Sequence, residues 1–260
     1  MSWDVAAALR GGVVDRHHAW DFVRHFAAGW TAAPLRADDG VAEAELRAVE
    51  RELGHRLPAA LREGYALFGR RRDDLTGGQD PLVPPTGLFV DAGPGGHDST
   101  VLVFRRENQD CAAWGIPLDR IARIEQTERI EQTDQDDPPV VVGSVGVGSR
   151  YDWVPYLDQM SVAWVELVLS AYLFGAGPLY DACELPEALV PRLLAGYRRV
   201  DLPDHPMWTG AEESPVRWYA APGCLLRRDG VVNHSWLHVR ARTAADLDAV
   251  RAALPGAWVG

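Results

Sequence analysis

An α+β fold is predicted by three observations on this 260-residue chain. Up to Gly69 the apolar residues recur at helical spacing. From Asp80 to Val142 they fall in short runs separated by proline, glycine and aspartate, which is the pattern of strands and turns. A single long apolar helix follows, and after residue 180 comes a β-β-β-α pattern that reads as an appendage or as an extension of the main sheet.

The elements follow in order. Ser2 is placed to cap a short helix that stops at Gly11-Gly12, and a second helix follows Asp15 with Trp20, Val23, Phe26 and Ala27 on one face. A third carries Leu46, Val49 and Leu53, and Gly54 stands where a left-handed C-terminal residue belongs. Pro58 suits the first turn of a fourth, whose buried face is Leu61, Tyr65 and Phe68. Strands are expected at Leu88–Val90, Val101–Phe104, Cys111–Ile116 and Val140–Val142, with a reversal at Glu107-Asn108-Gln109-Asp110. The helix from about Gln159 to Phe174 is apolar nearly all round, broken only by Glu166, so it is expected to be buried. Pro186 opens another helix. Strands at Val216–Ala220, Cys224–Arg227 and Val231–Val239 then precede a helix capped by Thr243, with Asp229-Gly230 as the tight turn between the last two strands.

Composition bounds the function. A chain this long buries about three quarters of its unfolded surface, enough for a core without disulfides. Its net charge of −11 and pI near 5.2 argue against nucleic acid or an anionic membrane as partner. Cys111, Cys183 and Cys224 are too few and too scattered for a disulfide framework or a zinc cluster. The first residues show no signal peptide, and the longest apolar run is far short of the roughly 20 residues of a membrane helix. A cytoplasmic protein is expected.

The motifs that suggest chemistry are all incomplete. Gly143-Ser144-Val145-Gly146-Val147-Gly148-Ser149-Arg150 has the glycine spacing of a phosphate loop, but Ser149 and Arg150 stand where lysine and a hydroxyl are needed, so it reads as a flexible turn. His234 and His238 lie on a strand, where four residues span roughly 13 Å, too far for one metal ion. His17, His18 and His25 lack a glutamate at metalloprotease spacing, and His97-Asp98-Ser99 is an adjacency without geometric meaning. Arg123–Glu128 is repeated almost unchanged as Arg129–Asp134, a local duplication and not a solenoid. Of the ten tryptophans, Trp20, Trp30, Trp114, Trp153 and Trp164 are expected in the core. Trp208, Trp218 and Trp236 lie in the tail, where an exposed one would anchor a contact.

Leu46, Glu50, Leu53-Gly54, Leu57-Pro58, Leu61, Tyr65 and Gly69, then Glu107-Asn108-Gln109, Trp114-Gly115-Ile116, Asp137-Pro138-Pro139-Val140 and Ser161, together resemble the SUKH superfamily. That group joins bacterial toxin-immunity proteins to fungal cell-wall assembly regulators of the Smi/Knr type. The resemblance covers about residues 40 to 175, within an expected SUKH-like domain at 1–180. The extension or small lobe at 181–260 lies outside it, and the duplicated hexapeptide departs from the usual spacing before Asp137. The resemblance implies a twisted, mostly antiparallel sheet packed by helices, and a protein that binds and neutralises a toxin such as a nuclease. It implies no catalytic residues, and neither a cofactor nor a metal is expected. An acidic face toward a basic partner fits that picture, with Asp73, Asp74, Glu107, Asp134, Asp136 and Asp137 as the residues expected to face it. Two other classes stay open: a regulatory scaffold docking several partners, and an enzyme whose site, joining for instance His97 to Glu107 and Asp137, forms only on folding.

Overall fold

The protein, seen in a computed structural model, is described over residues 3–92, 100–121, 136–146, 151–209, 215–231 and 234–260. Among them the fold is α+β, with seven α-helices and two antiparallel five-stranded sheets.

Four helices come first. Helix α1 (Val5–Ala8) is capped by Asp4, whose carboxylate accepts from the Ala7 N–H at 3.0 Å, so the cap expected at Ser2 is supplied by Asp4; Ser2 itself lies outside the described residues. Helix α2 (Arg16–Trp30) starts as expected at Asp15, which accepts from the His18 N–H at 2.8 Å. Helix α3 (Glu43–Leu53) ends on Gly54 at φ +71°, the left-handed turn that glycine adopts without cost. Pro58 directly precedes α4 (Ala59–Phe68), whose Leu61, Tyr65 and Phe68 are fully buried.

The first sheet is a meander in the order β1 (Phe89–Ala92), β2 (Thr100–Arg106), β3 (Ala112–Pro117), β4 (Val140–Val145) and β5 (Tyr151–Leu157). The β2–β3 reversal falls where expected, with Asp110 at φ +60° closing onto the Glu107 carbonyl at 3.0 Å. Two strand expectations need correction. Gly143 and Ser144, read as the start of a flexible turn, continue β4 and pair with Trp153 and Asp152, while Val147–Arg150 lie outside the described residues. Trp153 is not a core anchor: the alternation of β5 turns it to the face away from the helices, where it is half-buried and donates to Asp91 at 3.1 Å.

The second sheet has the order β6 (Tyr180–Glu184), β10 (His234–Ala241), β9 (Cys224–Val231), β8 (Arg217–Ala221) and β7 (Arg198–Arg199). The tail therefore builds its own sheet and does not extend the first. Asp229-Gly230 is not the tight turn: both residues are inside β9, paired with Trp236 and Ser235. The connection between β9 and β10 falls at residues 232–233, outside the described residues, and the preceding β8–β9 turn is at Pro222-Gly223, with Gly223 at φ +80°. Helices α6 (Val190–Gly196) and α7 (Ala244–Ala253), the latter capped by Thr243 as expected, complete the chain.

Helix α5 (Met160–Leu173) lies between the two sheets, and all fourteen of its residues are buried. That position explains a helix with no polar face. On one side Trp164 meets Tyr65, Phe68 and Phe104 at ring separations of 5.7, 5.0 and 6.0 Å, and its N–H donates to the Ala60 carbonyl at 3.0 Å. Gly64 permits this approach, because a Cβ there would stand 2.3 Å from the Trp164 ring. The division expected at residue 180 coincides with the start of β6, while the same apolar core runs on through Val200, Leu202, Val216, Trp218 and Leu225. Beyond the second sheet, Leu226, Leu237 and Val239 form a smaller core with Leu247 and Val250 of α7. The first helix also meets the second sheet: α1 packs on β8, Asp4 pairs with Arg198, and the Gly11 N–H donates to Asp201 at 2.8 Å.

Candidate functional site

Among the described residues, several buried charges gather between the two sheets, and a strand irregularity brings the first of them there. Between Val103 and Arg105 the pairing of β2 shifts against β3, so that Val103 faces Gly115 and Arg105 already faces Trp114. Two successive residues, Phe104 and Arg105, therefore point inward. Arg105 is 3% exposed and its guanidinium lies 4.4 Å from the Trp114 ring. It donates to Glu166 of α5 at 2.8 Å and to the Asp80 carboxylate and carbonyl at 3.3 and 3.1 Å.

From Glu166 the chain of contacts crosses α5 into the second sheet. The Ser170 hydroxyl, one turn on, donates to Glu166 and accepts from Arg227 of β9 at 3.3 Å. Arg227 Nε is 2.7 Å from Asp229 Oδ2, and Asp229 Oδ1 is 3.3 Å from His238 Nε2. His238 Nδ1 in turn meets the Tyr180 hydroxyl at 2.8 Å. His205 flanks the chain, with Nε2 3.9 Å from Glu166 and no hydrogen-bond partner, and Nδ1 3.1 Å from the Pro203 carbonyl. The strand alternation is the cause of this convergence: Leu225, Arg227 and Asp229 share the α5-facing side of β9, and His238 is opposite Arg227 in the ladder.

Electrostatics follow from burial and pairing. Burial pushes the Glu166 carboxyl up, but Arg105 above all, then His205, Arg227 and Ser170, outweigh it and hold the group at about 2. Asp229 is likewise raised by burial and lowered further by Arg227 and His238, for a net downward shift. Asp80 is shifted up by burial, which the attraction of Arg105 does not overcome. His205 is shifted down by burial, so the neutral form is favoured there. A cavity of about 140 Å³ opens beside these groups, walled by Arg105, Trp114, Phe174, Trp208 and Arg227. Asp80 and Glu166 share Arg105, Asp229 pairs with Arg227, and the Ser170 proton rests on Glu166, a carboxylate held too low to act as a strong base. The arrangement therefore holds compensated charge between the sheets.

The described acidic residues expected to face a partner lie at three places: the turn after α4, the β2–β3 reversal and the segment before β4. Asp73 accepts from Arg71 at 2.9 Å and from the Leu75 N–H at 3.2 Å, which fixes the turn after α4. Asp74 lines a different groove, near Tyr172. Glu107 accepts from the Gln109 and Cys111 N–H groups at 2.7 and 3.2 Å, inside the β2–β3 reversal. Asp136 is 3.8 Å from Arg16. Asp137 accepts from the Ser161 N–H and hydroxyl at 2.7 and 2.6 Å and so caps α5, with its carboxyl shifted up by burial. Asp134, His97 and the duplicated hexapeptide lie outside the described residues. Trp208 and Trp236 are half-buried, whereas Trp218 is in the core.

The buried charge chain was missed by motif reasoning, since its members come from five separate elements. One signal was present: Glu166 is the lone charge in an otherwise apolar helix. Among the described residues, no group of three or more His, Cys, Asp or Glu side chains is placed to hold a metal ion, and no helix is long and apolar enough to cross a membrane. No family model, curated protein or solved structure matches the chain.

Proposed function

We propose that the chain is a non-catalytic protein-binding module of the SUKH immunity type, which binds and neutralises a cognate toxin with a basic surface, such as a nuclease. One observation carries the reading: the scattered residues of the resemblance contact one another. Glu50 accepts from the Leu57 N–H at 3.0 Å and from Arg62 at 2.6 Å, which clamps the α3–α4 turn. Asp137 holds Ser161 at the head of α5, and Tyr65 and Leu61 of α4 lie in the same core as Trp114 and Ile116. The series thus describes a scaffold, which is what a family of binders with variable partners would keep in common. The net charge of −11 supports steering toward a basic partner.

The test is co-expression with a polymorphic toxin encoded beside this chain. Growth rescue together with copurification of the pair is expected. Survival unchanged by the chain, with no copurification, overturns the reading.

A further inference from the structure

Among the described residues, the buried arginines Arg71, Arg105 and Arg227 each have a carboxylate within 4 Å. Arg240 of β10 is just as buried, at 6% exposure, yet no described carboxylate lies within that distance. Its Nη2 donates to the Ala176 carbonyl at 3.0 Å, and its Nη1 has no hydrogen-bond partner. A buried guanidinium with no carboxylate in direct contact and an unpartnered N–H is unfavourable unless an anion completes it.

The surroundings supply room for one. Arg240 lines a groove of about 350 Å³ between the end of α2, the last turn of α5 and the α5–β6 connection, a volume in the range of small-molecule sites. Arg242, just past the end of the strand, lines the same groove and lies 5.8 Å from the Trp30 ring. The Arg240 guanidinium is 5.6 Å from the Tyr172 ring, so aromatic faces back both cations. The absence of side chains at two glycines keeps the space open. A Cβ on Gly177 would be 3.8 Å from Arg240 Nη1, and one on Gly175 would be 3.2 Å from its Nη2. The second of these would also be 3.1 Å from Asp74 Oδ1, so one acid shares the groove.

We infer that this groove is a binding site for a small monoanionic carboxylate, held by Arg240 and Arg242. Two arginines present forked donors suited to a planar carboxylate. Asp74 sets the charge limit, because its field opposes a dianion more than a monoanion. The site is separate from the charge chain around Glu166 and does not depend on the toxin-binding proposal.

The experiment titrates the full chain with sodium acetate against sodium chloride at equal ionic strength, following the amides of Gly175 and Gly177 and the Trp30 indole by two-dimensional NMR. Saturable shifts at these three groups with acetate, and none with chloride, are expected. Phosphate at pH 8, largely a dianion, is expected to bind more weakly than acetate. Arg240→Met removes the shifts. Arg242→Met, at an exposed position that leaves folding intact, weakens acetate binding about tenfold, and Asp74→Asn tightens it severalfold. Shifts that are linear and equal for acetate and chloride overturn the proposal, as does unchanged affinity in both the Arg242→Met and Asp74→Asn variants. Should Arg240→Met fail to fold, those two variants decide.

Discussion

Helix α5 meets the two sheets in different ways. Toward the first sheet and α4 it presents Trp164, packed edge-on against Tyr65 and Phe68 and tilted against Phe104. Along a second line it presents Glu166 and Ser170, which join Arg105 of the first sheet to Arg227 of the second in a row of buried charge. The apolar contact is tolerant in direction and sums over area, at about 25 cal/mol per Å². The ionic contact is directional, and each member is costly when its partner is lost. The first kind of contact holds the helix in the core, and the second fixes how the tail sheet is set against it.

That contrast can be broken most directly at Glu166. Glu166→Gln leaves Arg105 and Arg227 buried beside a neutral amide and is expected to cost about 3–5 kcal/mol in urea unfolding. Replacing the pair together, with Arg105→Met and Glu166→Leu, is expected to recover part of that loss, since Arg227 keeps Asp229 and Asp80, the other partner of Arg105, is already shifted toward its neutral form. A double variant as unstable as the single one would show that the charges themselves hold the sheets in place.

The same group sets an acid limb. Its folded-state value of about 2 is below the unfolded 4.5, so its contribution is present above pH 4.5 and is lost as pH falls toward 2. The size expected is about 3 kcal/mol, and Glu166→Gln should flatten the stability profile in that window. His205, shifted down, adds a loss that begins as pH falls below its ordinary value of 6.5. Asp80 and Asp137, shifted up, act in the opposite sense, because the folded protein takes up their protons first.

The apolar side is tested at Gly64. A Cβ 2.3 Å from the Trp164 ring forces the helices apart, and Gly64→Ala is expected to cost about 1–3 kcal/mol, with no change in the pH profile. The smallest effect is at the head of the helix. Ser161→Ala removes the hydroxyl that donates to Asp137 and is expected to cost about 1 kcal/mol by thermal unfolding.

Local rules were legible where they act over few residues. Asp15, Gly54, the Glu107–Asp110 reversal and Thr243 punctuate the chain as their chemistry dictates. The all-apolar α5 announced its own burial. Two short strands, Tyr180–Glu184 and Arg198–Arg199, were not legible, because each takes its strand character from neighbours far along the chain. Asp229-Gly230 misled because a tight-turn dipeptide is tolerated inside a strand when the ladder continues past it. The charge chain was hidden for a related reason: a β-bulge decides that Arg105 faces inward, and a bulge follows from pairing and not from composition.

The meeting of α1 with β8 has a consequence for synthesis on the ribosome. Val5 and Leu9 are almost fully covered in the finished protein, yet Arg198 and Asp201 emerge about 190 residues later, and β8 later still. At about 5–20 residues per second, the first helix waits roughly 10–40 seconds for its partner. During that interval its apolar side is open to chaperones and proteases, and its docking marks the moment when a nascent chain becomes a closed one.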